Sequence, residues 1–295
     1  MRMRPALVFA CLLAVAPLPA GAADADWSKV ADALGKPGVA MAGGVYRVGL
    51  PRTDLHVTLD GVVIKPTLAL GSWLAFQSSG GATMVMGDLV LTEDEVGPVM
   101  KQLEENGIEI TALHNHLLRA QPSTLYMHVL GHGDPTRLAA ALHDGLALSG
   151  TPLGTAAPPA SSQALDLDTA MIDRTLGARG KAVGGVYQVG VPRAETIHDD
   201  GMEVPIAMGA AEAINFQPTG GGKAAITGDF VLTAKEVNPV LRALRENGIE
   251  VTAVHNHMLD DEPRLFFMHF WANADAQKLA KGLRDALDQV NVARS

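Results

Sequence analysis

The strongest constraint in this sequence is that one module occurs twice. Gly43–Tyr46 recurs as Gly184–Tyr187, and Ala112–His116 recurs, with one conservative change, as Ala253–His257, each 141 positions later (184 − 43 and 253 − 112). This period far exceeds the roughly 20 to 50 residues of solenoid repeats. The chain therefore predicts two domains of the same fold.

The repeat divides the 295 residues into four predicted parts. Residues 1–22 form a signal peptide, 23–148 the first repeat domain, 149–165 a linker and 166–295 the second repeat domain. The linker is rich in Gly, Pro, Ala, Ser and Thr, a composition typical of loops. Each repeat has the length of an ordinary globular domain.

Hydrophobic patterning predicts an α+β fold for each copy. In the first copy we expect strands over 45–51, 56–64, 68–77, 83–91, 108–116 and 124–131, with a turn at Asp60-Gly61. Thr92 and Glu95 predict a capping box at the start of a helix that ends at Asn106-Gly107, and a last helix begins at Asp134. This order resembles a split βαβ sandwich module with extra N-terminal strands.

The N-terminus has the features of an export signal. Arg2 and Arg4 form a positive region, residues 6–15 are apolar, and Ala20-Gly21-Ala22 is a small-residue cleavage site. We expect a periplasmic or secreted protein after cleavage. No later apolar run is long enough to cross a bilayer, so we expect no transmembrane span in the mature chain.

The single cysteine, Cys11, lies within the predicted signal peptide. In a lipoprotein, Cys11 would carry the attached lipid. The bulky Phe9 and the short apolar run before Cys11 argue against this interpretation. The mature chain then has no thiol ligand or nucleophile. The net charge of −9, without a basic cluster, argues against a nucleic-acid partner. The sequence leaves the oligomeric state open.

Three histidines recur at the same spacing in both copies. His114, His116 and His128 in the first correspond to His255, His257 and His269 in the second. Side chains two residues apart on a strand share a face, and cross-strand neighbours lie about 5 Å apart. We therefore predict that each copy brings its own three imidazoles to one point.

Three imidazoles are a common ligand set for zinc and also suit copper. Additional ligands come from repeated carboxylates, with Asp88 and Asp229 as one pair and Glu109 and Glu250 as the other. The pattern favours an exported protein that binds zinc or copper and no other cofactor, with a metal ion or small molecule as partner.

Two other interpretations stay open. A metal-dependent hydrolase would use the bound metal to activate water, with Asp88 or Glu109 as base. A non-metal ligand-binding or structural envelope module would use the same histidines as hydrogen-bonded core residues. Arg52 and Arg193, each after a proline at a strand end, fit either an anion-binding role or a surface ion pair.

The repeated motifs resemble a known family. Gly87–Thr92, Gly107-Ile108, Thr111–Leu117 and Met127-His128 are similar to the duplicated domain of the LppY/LpqO family of lipoproteins. Both copies match, over 43–148 and 184–290. The resemblance implies an envelope protein of tandem domains and assigns no activity. The chain departs from the family in lacking a convincing lipid-attachment motif.

Overall fold

The structure is a computed structural model that describes residues 26–79, 82–154 and 164–293. The predicted signal peptide, with Cys11, and the middle of the predicted linker lie outside these residues. The first domain consists of α1 (Trp27–Leu34), β1 (Val39–Met41), β2 (Val45–Pro51), β3 (Thr58–Leu59), β4 (Val62–Val63), α2 (Pro66–Ala69), β5 (Gly71–Ser79), β6 (Ala82–Thr92), α3 (Glu93–Glu105), β7 (Glu109–Asn115), β8 (Thr124–Gly133) and α4 (Pro135–Leu146).

The second domain repeats this series with two differences: a short 3-10 helix, Ile206–Met208, replaces α2, and an additional short strand precedes the last strand. It consists of α5 (Thr169–Leu176), β9 (Lys181–Val183), β10 (Val186–Pro192), β11 (His198–Asp199), β12 (Met202–Glu203), β13 (Ala211–Gly220), β14 (Lys223–Thr233), α6 (Ala234–Glu246), β15 (Glu250–His255), β16 (Asp261–Glu262), β17 (Leu265–Asp275) and α7 (Ala276–Leu287). None of the helices in the described part of the chain has the length and apolar character that a bilayer crossing requires.

A six-stranded antiparallel sheet forms the centre of each domain. The strand orders are β1-β2-β5-β6-β8-β7 and β9-β10-β13-β14-β17-β15. The two orders are the same, which confirms a duplicated α+β domain. The helices that follow β6 and β14 begin with the predicted capping box, formed by Thr92 with Glu95 and by Thr233 with Glu236.

Two sequence-based expectations for the first domain were wrong. The segment 56–64 does not form one strand, although the predicted turn at Asp60-Gly61 is present. It contains the two-residue strands β3 and β4, and the turn between them places Asp60 at φ 48° and Gly61 at φ 80°. The segment 68–77 begins with the end of α2, because Pro66 favours the first turn of a helix, and β5 starts only at Gly71.

Both faces of each sheet are buried. On the outer face of the first sheet, side chains such as Leu74 and Leu89 pack against Val99 of α3 and Leu142 of α4. The second sheet packs in the same way against α6 and α7. The inner faces are also apolar, since Met84 and Met86 of β6 are buried there. Each sheet therefore needs a second covering layer.

The opposite domain supplies that layer. Val45 and Ala75 on the first sheet pack with Ile197 and Met208, which belong to the excursion between β10 and β13. In return, Val57, Ile64 and other residues between β2 and β5 cover Val186, Ala225 and Trp271 of the second sheet.

Hydrogen bonds reinforce this exchange. The Gln217 side chain accepts from the Lys65 amide at 2.9 Å and donates to the Val63 carbonyl at 2.7 Å. The two inner faces are thus turned toward each other, with the β7 and β15 edges adjacent.

Arg52 and Arg193 form ion pairs that are buried rather than at the surface. Arg52 is 1% exposed, and its guanidinium donates to Glu95 at 2.8 Å, to Asp54 at 2.9 Å and to the Val90 carbonyl at 2.6 Å. Arg193 forms the corresponding bonds with Glu236, Glu195 and Val231. Each arginine links the end of β2 or β10 to the capping box of the following long helix. The ion-pair interpretation was right about the partners' charge and wrong about the location, because both pairs are buried.

A buried carboxyl distinguishes the second domain from the first. The Ser72 hydroxyl accepts from the Val90 amide, whereas Glu212 occupies the equivalent position and accepts from the Val231 amide at 2.5 Å. Burial raises the pKa of Glu212 well above its ordinary value, although Arg193 lies 4.0 Å away.

Replacing this carboxyl should change how stability depends on pH. Because the folded state favours protonated Glu212, its stabilising contribution is complete below the unfolded-state pKa of about 4.3 and is lost as pH rises toward the folded-state pKa. Glu212→Gln keeps the acceptor oxygen and removes the titration. Between about pH 5 and pH 8, its free energy of unfolding should fall less than that of the wild type. Denaturant titrations at each pH measure the free energy of unfolding, with the exposed Glu246→Gln as control. The same pH dependence in Glu212→Gln and the wild type would contradict the prediction.

Candidate metal centre

Strand geometry places the repeated histidines on the inner faces. His114 lies near the end of β7 opposite Tyr126, and His128 lies in β8 between Ala112 and Asp88. Cross-strand partners share a face, so His114, His128 and Asp88 all point away from the helices. His116 follows immediately after β7. The second domain repeats the arrangement, with Asp229 opposite His269.

The six histidines form one cluster between the two domains. The ring centroids of His114 and His255 lie 3.5 Å apart, those of His116 and His269 3.5 Å, and those of His128 and His257 3.7 Å. Every one of these close pairs joins the two domains. We name these six residues the histidine cluster.

The expectation of a separate trio in each domain was wrong. His116 lies 6.1 Å from His114 of its own domain but 3.5 Å from His269, measured between ring centroids. His257 lies 6.3 Å from His269 of its own domain but 3.7 Å from His128. Both residues follow the last residues of an edge strand, and because those edges adjoin, their side chains reach the opposite domain.

Backbone contacts hold this exchange in place. The Thr111 hydroxyl donates to the His257 carbonyl at 2.5 Å, and the Thr252 hydroxyl donates to the His116 carbonyl at 2.8 Å. The Asn256 amide also donates to the Thr111 carbonyl at 3.0 Å. Sequence reasoning did not select these threonines. Their recurrence within the strand before each His-Asn-His was the available signal.

Within each domain, two ring nitrogens face each other. Nε2 of His114 lies 3.1 Å from Nε2 of His128, and Nε2 of His255 lies 2.7 Å from Nε2 of His269. Two ligand nitrogens of a tetrahedral ion with bonds of about 2.0–2.1 Å lie roughly 3.3 Å apart. The separation in the first domain approaches that value, and the separation in the second domain is about 0.6 Å shorter.

The second domain also fixes which nitrogen carries the proton. Nδ1 of His255 lies 2.9 Å from the Asn256 carbonyl, and Nδ1 of His269 lies 3.0 Å from the Gly228 carbonyl. Since a carbonyl oxygen only accepts, each Nδ1 carries N–H, and a neutral ring then keeps its lone pair on Nε2. Two lone pairs therefore face each other at 2.7 Å and repel unless a proton or a metal ion lies between them.

Several buried polar atoms of the cluster make no hydrogen bond. They are both ring nitrogens of His116, Nε2 of His257 and Oδ1 of Asp88. A buried polar atom without a partner costs about 1–3 kcal/mol. A cation bound to these nitrogens would satisfy them.

Burial keeps most of the cluster uncharged. It lowers the pKa of His114 to about 3 and that of His255 to about 4. It also holds the pKa values of three further imidazoles well below the ordinary value, namely those of His116, His128 and His257. These five rings are neutral at pH 7, the form of histidine that binds metal.

The two aspartates behave differently from each other. Burial disfavours charge on His269 and on Asp229, but the 2.7 Å contact between Nδ1 and Oδ1 outweighs it. The pKa of His269 is therefore raised and that of Asp229 lowered. Asp88 lies 3.9 Å from Nε2 of His128, and burial together with the charge of Asp229 raises its pKa to about 8.

The other candidate residues do not join the cluster. Glu109 is exposed at the start of β7, and Glu250 accepts from Arg119 at 2.7 Å. Arg52 and Arg193 are engaged in their buried ion pairs. Of the additional polar residues predicted from the sequence, only Asp88 and Asp229 adjoin the histidines.

The cluster meets the spatial requirement for metal binding. One ring nitrogen from each of His114, His128, His255 and His257 lies within 4.8 Å of the others, and the same holds for His116, His269 and an Asp229 oxygen. A cavity of about 10 Å³ borders His128 and His257 and is otherwise lined mainly by apolar residues such as Met208 and Met258. It has room for about one water molecule.

Comparisons with known proteins identify a family but no activity. A family model described as Domain of Unknown Function (DUF1259) matches residues 28–148 and again residues 170–289. No curated protein matches the sequence. One solved structure, a trimeric bacterial microcompartment shell protein PduB, matches with 13% identity and a TM-score of 0.20, over 87% of this chain and 96% of that chain. This likeness is too weak to support an argument about function.

Proposed function

We propose that this chain, which belongs to the family described as Domain of Unknown Function (DUF1259), binds zinc or copper in the histidine cluster between its domains. The observation that carries the proposal is the pair of Nε2 atoms of His255 and His269, 2.7 Å apart with their Nδ1 atoms directed at carbonyl oxygens. A divalent ion removes the repulsion between these lone pairs. Metal ions bound in the cluster would also satisfy the unpartnered nitrogens of His116 and His257.

The donor set is consistent with zinc or copper. All nearby ligands are imidazole nitrogens and carboxylate oxygens, which suit both metals, and a given set of nitrogen donors binds copper more tightly than zinc. The predicted signal peptide supports delivery of the protein to the periplasm or the cell exterior. The LppY/LpqO resemblance supports an envelope location, and the order β6-β8-β7 supports a split-βαβ-like module.

A metal-dependent hydrolase is the second candidate function. Asp88 has an unpartnered oxygen beside His128, and the neighbouring cavity has room for about one water molecule. In its ionised form, which a nearby cation favours, Asp88 would accept a proton from water bound to a metal ion. Hydrolysis that depends on added metal and is lost in Asp88→Asn would favour this candidate over simple binding.

A structural cluster without metal is the remaining alternative. In that case a proton lies between the facing nitrogens, and His269, whose pKa is raised by Asp229, donates its Nε2–H to His255. The histidines would then stabilise the domain interface only. Metal analysis distinguishes this alternative from the proposal.

We expect the mature wild-type protein to retain zinc or copper after dialysis against micromolar metal and then metal-free buffer. His128→Ala should retain at most about one tenth as much in the position it lines, since loss of one of three ligands typically weakens binding by tenfold or more. Exposed His132→Ala, on the same strand, is the matched control and should behave as wild type. Metal content measured by mass spectrometry checks this. A metal-free wild type would contradict the proposal.

A further inference from the structure

We propose that the histidine cluster holds two metal ions, each bound by two imidazoles from one domain and one from the other. His114, His128 and His257 form the first position, and His255, His269 and His116 form the second. This inference rests on the proposed function and adds to it the number of ions and the assignment of ligands.

The first step is the pairing within each domain. His114 and His128 present their Nε2 atoms to each other at 3.1 Å, and His255 and His269 do so at 2.7 Å. Each pair thus offers two ligand atoms that converge on one place. Because the pairs occupy equivalent positions in the two copies, the cluster has two such places.

The second step is the third ligand of each pair. His257 lies 3.7 Å from His128, and His116 lies 3.5 Å from His269, between ring centroids. One nitrogen of His257 is within 4.8 Å of ligand nitrogens of both His114 and His128. A nitrogen of His116 is likewise within 4.8 Å of a His269 nitrogen and an Asp229 oxygen. The unpartnered nitrogens of His257 and His116 therefore lie beside the first and the second pair, respectively.

The third step is the carboxylate beside each pair. Asp229 lies 2.7 Å from Nδ1 of His269, a contact that orients the ring and leaves Nε2 free to bind metal. Asp88 lies 3.9 Å from His128 in the equivalent place. A carboxyl group thus lies beside each pair, in equivalent places of the two domains.

Neither domain alone contains a complete position under this assignment. Three protein ligands also leave a further coordination place on each ion, as in catalytic rather than structural zinc sites.

Double variants distinguish exchanged ligand sets from sets within one domain. His114→Ala combined with His257→Ala removes two ligands of one exchanged position, so one ion per chain should remain. His114→Ala combined with His116→Ala damages both exchanged positions, so no ion should remain. Ligand sets confined to one domain predict the opposite pair of results. His255→Ala with His116→Ala, and His255→Ala with His257→Ala, repeat the test from the other domain.

The measurement is the zinc content of full-length mature protein after dialysis at micromolar zinc, with far-UV circular dichroism to confirm folding. Wild type and His132→Ala should each hold two ions per chain. One ion in the wild type would overturn this inference and leave the proposed function intact, whereas no ion would overturn both. If a double variant fails to fold, the crystal structure of the zinc-loaded wild type decides. Two zinc ions, each bound by two imidazoles of one domain and one of the other, support the inference. A single four-imidazole zinc, or two zinc ions each bound within one domain, overturns it.

Discussion

Zinc is expected to stabilise the folded protein by about 2.7 kcal/mol per site at a free concentration one hundred times the dissociation constant. The physical reason is that the cluster exists only when both domains are folded and their inner faces meet, because its closest pairs join the domains. An ion bound there therefore stabilises the native arrangement and not the unfolded chain. For a chain of this size, that free energy corresponds to a rise in Tm of about 5–10 °C.

Thermal unfolding of the same preparation with chelator and with zinc measures this effect. His128→Ala should show a smaller shift, because it loses a ligand, and exposed His132→Ala should show the wild-type shift. Equal melting temperatures with and without zinc in the wild type would contradict the prediction.

Removing Arg52 should destabilise the protein by about 3–5 kcal/mol, as expected when one partner of a buried ion pair is deleted. Arg52→Ala leaves the Glu95 carboxylate at the start of α3 without its cationic partner and leaves the Val90 carbonyl without its donor. Metal content should stay at the wild-type level, since Arg52 does not contact the histidine cluster.

Arg119→Ala is the matched control for this variant. Arg119 also pairs with two carboxylates, Asp60 and Glu250, but all three side chains are substantially exposed. Exposed ion pairs contribute little because water screens them, so its free energy of unfolding should change far less. Denaturant titrations compare the two variants. Equal losses would show that burial of Arg52 does not determine its contribution.

Much of the fold followed from local patterns in the sequence. The repeat predicted two domains, Thr92 and Glu95 predicted the capping box, and the alternation along β7 and β8 placed His114 and His128 on one face. Each of these inferences concerns residues that are neighbours along the chain or across one strand pair. Local rules are sufficient for such cases.

The exchange of His116 and His257 between domains could not be predicted in this way. The alternation of side chains along a strand predicts which face of the sheet a side chain occupies. It does not predict which part of another sheet lies opposite that face. The segment 56–64 was predicted as a strand for a related reason. Its apolar residues pack against the other domain, and they do not belong to a strand of the central sheet. The sign in the sequence that both sheet faces are covered was the apolar run of β6, which is interrupted only by Gly87 and Asp88 between Met84 and Leu91.

The most direct test of a metal centre between the domains is anomalous diffraction at the zinc absorption edge from crystals of the zinc-loaded wild-type protein. Our account predicts anomalous peaks in the space enclosed by β7, β8, β15 and β17, with ring nitrogens of the histidine cluster at about 2.0–2.1 Å from each peak. Zinc peaks confined to other surfaces of the molecule, with the cluster free of anomalous signal, would contradict it.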